Sequence, residues 1–408
     1  MGTSLLRDSA PPRLTFNLWE EKTMTKTAPR ELREAGGIRI VRPVLPSLEE
    51  LEPGLRRILE TGMATKGDNL RAFEEAVAEH LQVRHAVGVS SCTTGLMLAY
   101  KASGLTGEVI VPSFTFMATV SSLVWAGLTP VFADVDYHTA TIDLASVESA
   151  ITERTSAVIA VHTFGNPARM RELEALSRKH SLKLLFDAAH GFGTLYEGAP
   201  IGSQGTAQSF SLSPTKLVIA GEGGMVTTED DDVAEQIRIG REYGNNGGYD
   251  SAFAGMNARM SEFNALMGLH SLMRLEEAAA RRNEIAERFE RELGRVPGIG
   301  FQRVDPKDRN SYKDFSITVD PDAFGSSRGD LAEFLGRRGI DTRAYYDPPV
   351  HRQSAYRHFA GGVPLPNTEL LAQRSLSLPV WSRMDDEVVE YIIAAVEDAH
   401  DANLRASA

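Results

Sequence analysis

Short, almost uninterrupted apolar runs alternate with segments of helix length through the first half of the chain. The runs cover residues 86–89, 109–112, 130–135, 156–163 and 182–189. A strand that is apolar on both faces must be covered on both faces, which is typical of parallel strands in repeated strand–helix units. The pattern therefore predicts an α/β fold with a mostly parallel sheet flanked by helices. Ligands of such sheets bind outside the carboxyl ends of the strands.

The 408 residues are enough for more than one hydrophobic core. Residues 1–36 mix prolines, charges and isolated apolar side chains without a period, so we expect a flexible N-terminal tail there. The large α/β domain is predicted over residues 37–270, with 37–55 as an N-terminal arm. Residues 259–294 predict one long charged helix, because Glu and Arg recur at helical spacing. A smaller C-terminal α+β domain is predicted over 271–408.

Acidic residues outnumber basic ones by 55 to 43, and the formal net charge is -12. This balance disfavours nucleic acid and anionic membranes as partners. No apolar run approaches the roughly 18 residues of a membrane span, and no basic-then-apolar secretion signal begins the chain. The only cysteine, Cys92, allows neither an internal disulfide nor a multi-cysteine metal site. We therefore expect a cytoplasmic protein without a bound metal.

A lysine follows a strand-like run and precedes a glycine-rich turn in FSLSPTKLVIAGEGGMVTT, residues 210–228. Partial desolvation at such a position lowers the pKa of an amine and makes Lys216 a candidate nucleophile toward an aldehyde. Gly221, Gly223 and Gly224 would let the backbone turn tightly beside it. A lone lysine is more often a surface residue, so this motif indicates a catalytic lysine only in combination with the other motifs.

A carboxylate ends a very apolar strand in LLFDAAHGFG, residues 184–193. A buried carboxylate must be paired with a positive charge or strongly hydrogen-bonded. A protonated pyridine nitrogen is a suitable partner for Asp187, and His190, three residues on, can reach the same ligand. Capping of the following helix is the structural alternative for Asp187.

Small hydroxyl residues connect a strand to a helix in SSCTTGLMLAY, residues 90–100. The N–H groups of the first helical turn and the hydroxyls of Thr93 and Thr94 predict an anion site suited to phosphate. Ser211 can add a hydroxyl, and the ring of Phe116, directly after a strand, can stack on a flat cofactor. Ordinary helix capping and core packing are the structural alternatives for these residues.

An amine for an aldehyde, a carboxylate for a ring nitrogen, an aromatic face and a phosphate cup together describe pyridoxal 5′-phosphate. From about residue 38 onward the chain also resembles the DegT-type nucleotide-sugar aminotransferases, which are pyridoxal-phosphate enzymes of fold type I. The motifs that carry the resemblance include TGMATKGDNLRAFEEAVAEHL, PSFTFMATVSSLVWAGLTPVFADVD, FDAAHGFG, FSLSPTKLVIAGEGGMVTT, GMNARMSEFNALMG and YYDPPVH.

The resemblance implies a role for each candidate residue. Lys216 would carry the cofactor and move the proton, Asp187 would pair with the ring nitrogen, and Phe116 would stack on the ring beside His190. The residues implied to hold the phosphate are Thr93, Thr94, Ser211 and, reaching the site of the neighbouring subunit, Asn257. This last contact implies a homodimer with shared active sites. Near the sugar or its diphosphate the resemblance implies Tyr346 and His351.

The implied activity is transfer of an amino group from an amino acid, L-glutamate as first choice, to a nucleotide-linked keto-deoxysugar. A dTDP-4-keto-6-deoxyhexose is the first choice of acceptor, in the biosynthesis of antibiotics and other natural-product glycosides. A C3 keto sugar, a keto-cyclitol and a non-catalytic regulator that binds the cofactor remain alternatives. Related dehydratases have histidine in place of the lysine, so Lys216 favours transamination. A metal hydrolase and a dinucleotide oxidoreductase are disfavoured, because neither HExxH nor GxGxxG after the first strand is present.

Overall fold

The computed structural model describes Pro29 and residues 36–407. The flexible tail expected over 1–36 lies outside the described residues except for Pro29 and Gly36, and it stays a prediction. The α-helices, in chain order, are α1 (Leu48–Thr61), α2 (Asp68–Leu81), α3 (Cys92–Ala102), α4 (Met117–Trp125), α5 (Leu144–Ala150), α6 (Met170–Lys179), α7 (Asp231–Gly240), α8 (Glu262–Leu272), α9 (Leu275–Leu293), α10 (Pro321–Phe324), α11 (Arg328–Arg337), α12 (Pro366–Arg374) and α13 (Asp386–Ser407).

The strands form a seven-stranded sheet, a three-stranded sheet and a short hairpin. In chain order they are β1 (His85–Val89), β2 (Glu108–Pro112), β3 (Thr129–Ala133), β4 (Thr155–Val161), β5 (Lys183–Asp187), β6 (Leu195–Tyr196), β7 (Ala199–Pro200), β8 (Ala207–Ser211), β9 (Gly224–Thr228), β10 (Ile299–Phe301), β11 (Phe315–Val319) and β12 (Ser375–Leu378).

The large sheet has the order β1-β9-β8-β5-β4-β2-β3. Only β9 runs against its neighbours in this sheet, and all the other pairs are parallel. Each apolar run identified in the sequence forms one of the strands β1 to β5, so the predicted, mostly parallel sheet is confirmed.

The strands are apolar throughout because both faces of the sheet are covered. On β5, Leu184 and Phe186 point into the core on one face, and Leu185 points into the core on the other. On β4, Val158 and Ile159 divide between the two faces in the same way. Successive side chains of a strand point to opposite sides, so a doubly covered strand needs an apolar residue at every position.

A second core surrounds the antiparallel sheet β10-β11-β12 and includes Ile38 of the N-terminal arm. The arm is joined to this part by the backbone bond from Ile38 N to Gly339 O, 2.7 Å. Helix α9 contributes Leu275 to the first core and Phe289 to the second. The domain boundaries after residues 36 and 270 remain predictions.

The prediction of one helix over 259–294 is wrong, because the chain turns between α8 and α9. Arg274 leaves the helical region with φ -106° and ψ 5°. Helix α8 is apolar and packs closely on α2, where a Cβ at Gly268 would lie 2.6 Å from the ring of Phe73. Helix α9 carries the charged repeat and runs toward the second core. The change in composition between the two segments was the missed signal.

Two kinds of feature are absent from residues 36–407. No helix there is both long and apolar enough to cross a membrane. No cluster of three or more His, Cys, Asp or Glu side chains with the arrangement of a metal site occurs in the same residues.

His162 supplies a testable link between core packing and stability. Its buried ring stacks on Phe186 with the centroids 5.1 Å apart, and Nδ1 accepts a hydrogen bond from Ala168 N. Nε2 therefore carries the proton, toward Gln208 Oε1 at 3.4 Å. Burial lowers the pKa of His162 to about 4, because the charged ring would lose its hydration.

We expect His162 to destabilise the protein in acid. Below pH 6.5, the pKa of the unfolded state, His162 binds a proton in the unfolded chain. In the folded protein the ring stays neutral until about pH 4. The free energy of unfolding should fall across this window by up to about 3 kcal/mol from this group. Urea unfolding of the wild type and of His162→Gln at pH 7 and pH 5 measures the effect. An equal loss in both proteins would contradict it.

Candidate active site

The carboxyl ends of β1, β2, β4, β5 and β8 lie along one edge of the large sheet, because these strands run parallel. This edge gathers most of the residues proposed from the sequence. Asp187 ends β5 and Ser211 ends β8, Thr93 lies in the helix that follows β1, and Phe116 follows β2. The edge is therefore the candidate active site, as expected for an open parallel sheet.

The carboxylate of Asp187 is buried, with 5% of the residue exposed. Thr119 Oγ1 donates to Oδ2 at 2.7 Å, and Ala189 N donates to Oδ1 at 3.0 Å. Burial raises the pKa of Asp187, and these two hydrogen bonds oppose that rise. A positive partner, such as a pyridinium nitrogen, would stabilise the ionised form further.

Thr119 is a site residue that the sequence analysis missed. It lies on the first turn of α4, three residues after Phe116, and its hydroxyl also contacts Thr115 Oγ1 at 2.8 Å. The spacing of three residues was the available signal, since it places two side chains on one side of a helix.

Cys92 also contacts the carboxylate. Its Sγ lies 4.0 Å from Asp187 Oδ1 and donates to Ser209 O at 3.3 Å. Burial raises the pKa of Cys92, so the group is a neutral thiol. The thiol joins the start of α3 to the strands beneath it.

The predicted phosphate cup is the capped start of α3. Thr94 N donates to Ser91 Oγ at 3.1 Å, and Ser91 N donates to Thr94 Oγ1 at 3.1 Å, which is a capping box. The hydroxyl of Thr94 is thus already used in the cap, while Thr93 lies half-buried beside it. Gly224 lets β9 approach closely, because a Cβ there would lie 2.5 Å from Ser91 C. The positive end of the helix dipole remains at the edge of the sheet.

Lys216 lies in the turn between β8 and β9, where its N–H donates to Ser213 O at 3.0 Å. Burial, together with the nearby cation of Lys313, lowers the pKa of the Lys216 amine to about 7. The carboxylates of Asp314 and Asp187 act in the opposite direction. Lys313 and Asp314 are themselves a buried pair, with Nζ 2.8 Å from Oδ1. At neutral pH a large fraction of Lys216 is therefore the nucleophilic free amine.

His190 has a buried polar atom in the neighbourhood of Lys216. Its Nδ1 is buried and has no hydrogen-bond partner among the described residues. Its backbone oxygen accepts from Ser311 Oγ at 2.7 Å. Burial lowers the pKa of His190 well below its usual value, so the ring is neutral. A buried ring nitrogen without a partner fits a polar group of a bound cofactor.

Two further predicted residues lie where a partner or ligand can reach them. Phe116 is the residue before α4 and is 51% exposed. Asn257 is exposed, and the chain next to it is joined to the end of β1 by the bond from Ser90 N to Ala258 O, 2.8 Å. Ser211 is half-buried, and its Oγ donates to Ser213 Oγ at 3.4 Å.

The two residues expected near the sugar are more enclosed. The ring of Tyr346 is buried against Phe164, with the centroids 5.6 Å apart and 16° between the planes, and meets Phe114 edge-on at 5.3 Å. Both ring nitrogens of His351 have partners, Ser113 and Glu369. Tyr346 and His351 thus pack beside the end of β2, and their place in the wall of the site near the sugar stays a prediction.

The sequence model of the DegT/DnrJ/EryC1/StrS aminotransferase family matches residues 48–397, and the chain belongs to this family. The spore coat polysaccharide biosynthesis protein SpsC of Bacillus subtilis (strain 168) is 36% identical over 357 residues, 83% of this chain and 92% of that protein.

Solved structures give the same result. The structure of DesI determined in the presence of its TDP-sugar product has a TM-score of 0.85 and 38% identity, covering 91% of this chain and 95% of that one. DesV of S. venezuelae, solved in complex with a ketimine intermediate, has a TM-score of 0.82 and 32% identity, covering 89% and 98%. The fold is that of the fold-type I pyridoxal-phosphate enzymes, and the chain is a sugar aminotransferase that depends on pyridoxal phosphate.

The hydrogen bond from Thr119 to Asp187 can be tested by a nearly isosteric change. Thr119→Val removes the donor and leaves the buried carboxylate less stable as an anion. We expect the dissociation constant for pyridoxal phosphate to rise about tenfold. Thr119→Ser keeps the hydroxyl and should bind like the wild type in an absorbance titration. Equal binding by the valine and serine variants would show that the hydroxyl is not needed.

The pKa of Lys216 predicts how cofactor uptake depends on pH. The amine is the reactive form, so the rate of covalent uptake by the apoprotein should rise with pH and level off above about 7. Lys313→Met removes a nearby cation, and we expect the midpoint to move to higher pH. Stopped-flow absorbance measures the rate, and Lys216→Ala gives the background. An unmoved midpoint would mean that Lys313 does not influence the amine.

Proposed function

We propose that this aminotransferase uses L-glutamate to aminate C4 of a nucleotide-linked 4-keto-6-deoxyhexose, with dTDP as the nucleotide. The observation that carries the catalytic part is Lys216, an amine with a pKa near 7 at the edge of the sheet where the buried Asp187 carboxylate lies. Support for the acceptor class comes from DesI, which is 38% identical and was solved with its TDP-sugar product.

The residues of the edge fit the cofactor. Bound pyridoxal phosphate supplies the electron sink for the reaction. Asp187 is the partner for its ring nitrogen, His190 offers a neutral ring nitrogen, and Phe116 offers an aromatic face. The phosphate would be held by the start of α3, which contains Thr93 and Thr94, and by the hydroxyl groups of Thr93 and Ser211.

Lys216 has two tasks in this proposal. Its Nζ would hold the cofactor, and as a free amine it would accept a proton from the substrate carbon and donate it again to complete the transfer. Its lowered pKa suits both tasks, because a general base works best when its pKa lies near the working pH. The amino donor and the keto acceptor use this one amine in turn, so the donor's product leaves before the acceptor binds.

A homodimer with shared active sites is part of the proposal. The outer face of α4 is apolar yet exposed, with Met117 and Val124 two helical turns apart on one side and Trp125 80% exposed. A second copy that covers this face would also bring Asn257 from its own surface toward the phosphate. Tyr346 would lie close to the sugar from within the subunit.

Separate half-reactions test the proposed activity. Glutamate should convert the absorbance of the holoenzyme to that of the amine form of the cofactor, and a dTDP-4-keto-6-deoxyhexose should reverse the change. A C3 keto sugar and a keto-cyclitol, assayed in parallel, distinguish the alternative acceptors. Lys216→Ala should complete neither half-reaction. Holoenzyme that glutamate leaves unchanged would contradict the proposed donor and favour a regulatory role.

Mixing two inactive variants tests the shared site. Lys216→Ala and Asn257→Ala subunits each lack one residue, and a mixed dimer has one site with both native residues. Random mixing should restore about a quarter of the wild-type activity, since half the dimers are mixed and each has one complete site. Unmixed variants at the same total concentration are the control. No gain on mixing would mean that each subunit builds its site alone.

A further inference from the structure

A row of three side chains joins the C-terminal segment 343–352 to the end of β2. Ser113 Oγ lies 2.7 Å from His351 Nδ1, and His351 Nε2 lies 2.8 Å from Glu369 Oε1. Two backbone groups strengthen the same junction. His351 N donates to Ser113 Oγ at 2.9 Å, and Val350 N donates to Ser113 O at 3.1 Å.

The donors and acceptors in this row have one consistent arrangement. Ser113 Oγ accepts from the backbone N–H of His351, so its own proton is directed to Nδ1. The imidazole then carries its proton on Nε2 and donates it to the carboxylate of Glu369, which Arg352 also contacts. Both ring nitrogens of His351 are occupied in this arrangement.

The sequence of groups, Ser, His and Glu, resembles the triad of a hydrolase, but its setting excludes that role. Ser113 is 0% exposed, so no substrate can reach its hydroxyl. The row therefore connects two parts of the chain, and we take its function to be structural support for the neighbouring site.

Two members of the row, Ser113 and His351, lie on segments that carry proposed active-site residues. Ser113 begins the segment that carries Phe116 and Thr119, and Thr119 holds the carboxylate of Asp187. The segment 343–352 carries Tyr346, whose ring packs on Phe114, the residue after Ser113. The row thus ties the part of the wall that holds Tyr346 to the part that faces the cofactor.

We propose that Ser113, His351 and Glu369 are positioning residues that hold the segment 343–352 against the end of β2 and thereby set the affinity for the keto-sugar acceptor. The proposal rests on the proposed function above. His351 acts through its two partners and does not touch the substrate, because neither ring nitrogen is available to it. Glutamate is smaller than a sugar nucleotide and depends less on this outer wall.

The test compares both half-reactions in four variants. Ser113→Ala, His351→Phe and Glu369→Ala each break the row, and Glu369→Gln keeps an acceptor oxygen for His351. We expect the first three to raise the acceptor KM about tenfold, the loss typical of one buried hydrogen bond to a charged network, with kcat and the glutamate half-reaction changed by less than about twofold. Glu369→Gln should restore the acceptor KM.

Ser177→Ala is the matched control, because Ser177 is a buried serine of α6 whose hydroxyl has no hydrogen-bond partner among the described residues. It should leave both half-reactions unchanged. Thermal unfolding of every variant shows which of them fold. If Ser113→Ala does not fold, the comparison of Glu369→Ala with Glu369→Gln, at the outer end of the row, tests the proposal.

Three results would overturn the proposal. Ser113→Ala with a normal acceptor KM, beside a raised one in His351→Phe, would make His351 a direct substrate contact. An equal loss in the glutamate half-reaction would mean general damage to the site. Glu369→Gln as poor as Glu369→Ala would exclude the hydrogen-bonded row as the cause. Wild-type enzyme that aminates no keto sugar would instead refute the proposed function, and this is measured first.

Discussion

The buried carboxylate of Asp187 is the group on which the rest of the active site depends. A charge at the end of an apolar central strand is costly unless it is paired and hydrogen-bonded. Thr119 and the backbone N–H of Ala189 supply part of this compensation, and in the proposed function the ring nitrogen of the cofactor would supply the rest. Because β1, β5 and β8 run in the same direction, their carboxyl ends bring the predicted phosphate site, Asp187 and Lys216 to one edge of the sheet.

The reactivity of Lys216 is a property of the closed fold. Its low pKa arises first from burial and then from Lys313, which lies just before β11 in the smaller sheet. The part of the chain around the smaller sheet therefore influences the pKa of Lys216. The Ser113–His351–Glu369 row is another connection of this kind, since it joins the C-terminal segment to the end of β2. An aminotransferase site of this type is thus assembled between the two cores.

Positions directly after apolar strands were predictable, because a strand that is buried on both faces has a recognisable pattern and its end marks the ligand edge. Asp187 and Lys216 were proposed in this way, and the resemblance to the family added proposed roles for Asn257 and Tyr346, which stay predictions. The turn between α8 and α9 was missed, because the apolar residues Leu272, Leu275 and Ala279 keep helical spacing across it although the composition changes. Thr119 was missed because its role depends on a carboxylate 68 residues away.

Local patterns are enough to predict the class of this protein, its mostly parallel sheet, and the amine and carboxylate proposed for its chemistry. These features depend on strand periodicity and short motifs, which can be recognised without knowing the fold. The groups that surround them depend on contacts that the folded chain creates: the hydroxyl on Asp187, the cation near Lys216 and the partners of His351. Ser113 and His351 are 238 residues apart, and a hydrogen bond between such residues exists only because the fold brings the end of β2 and a C-terminal segment together.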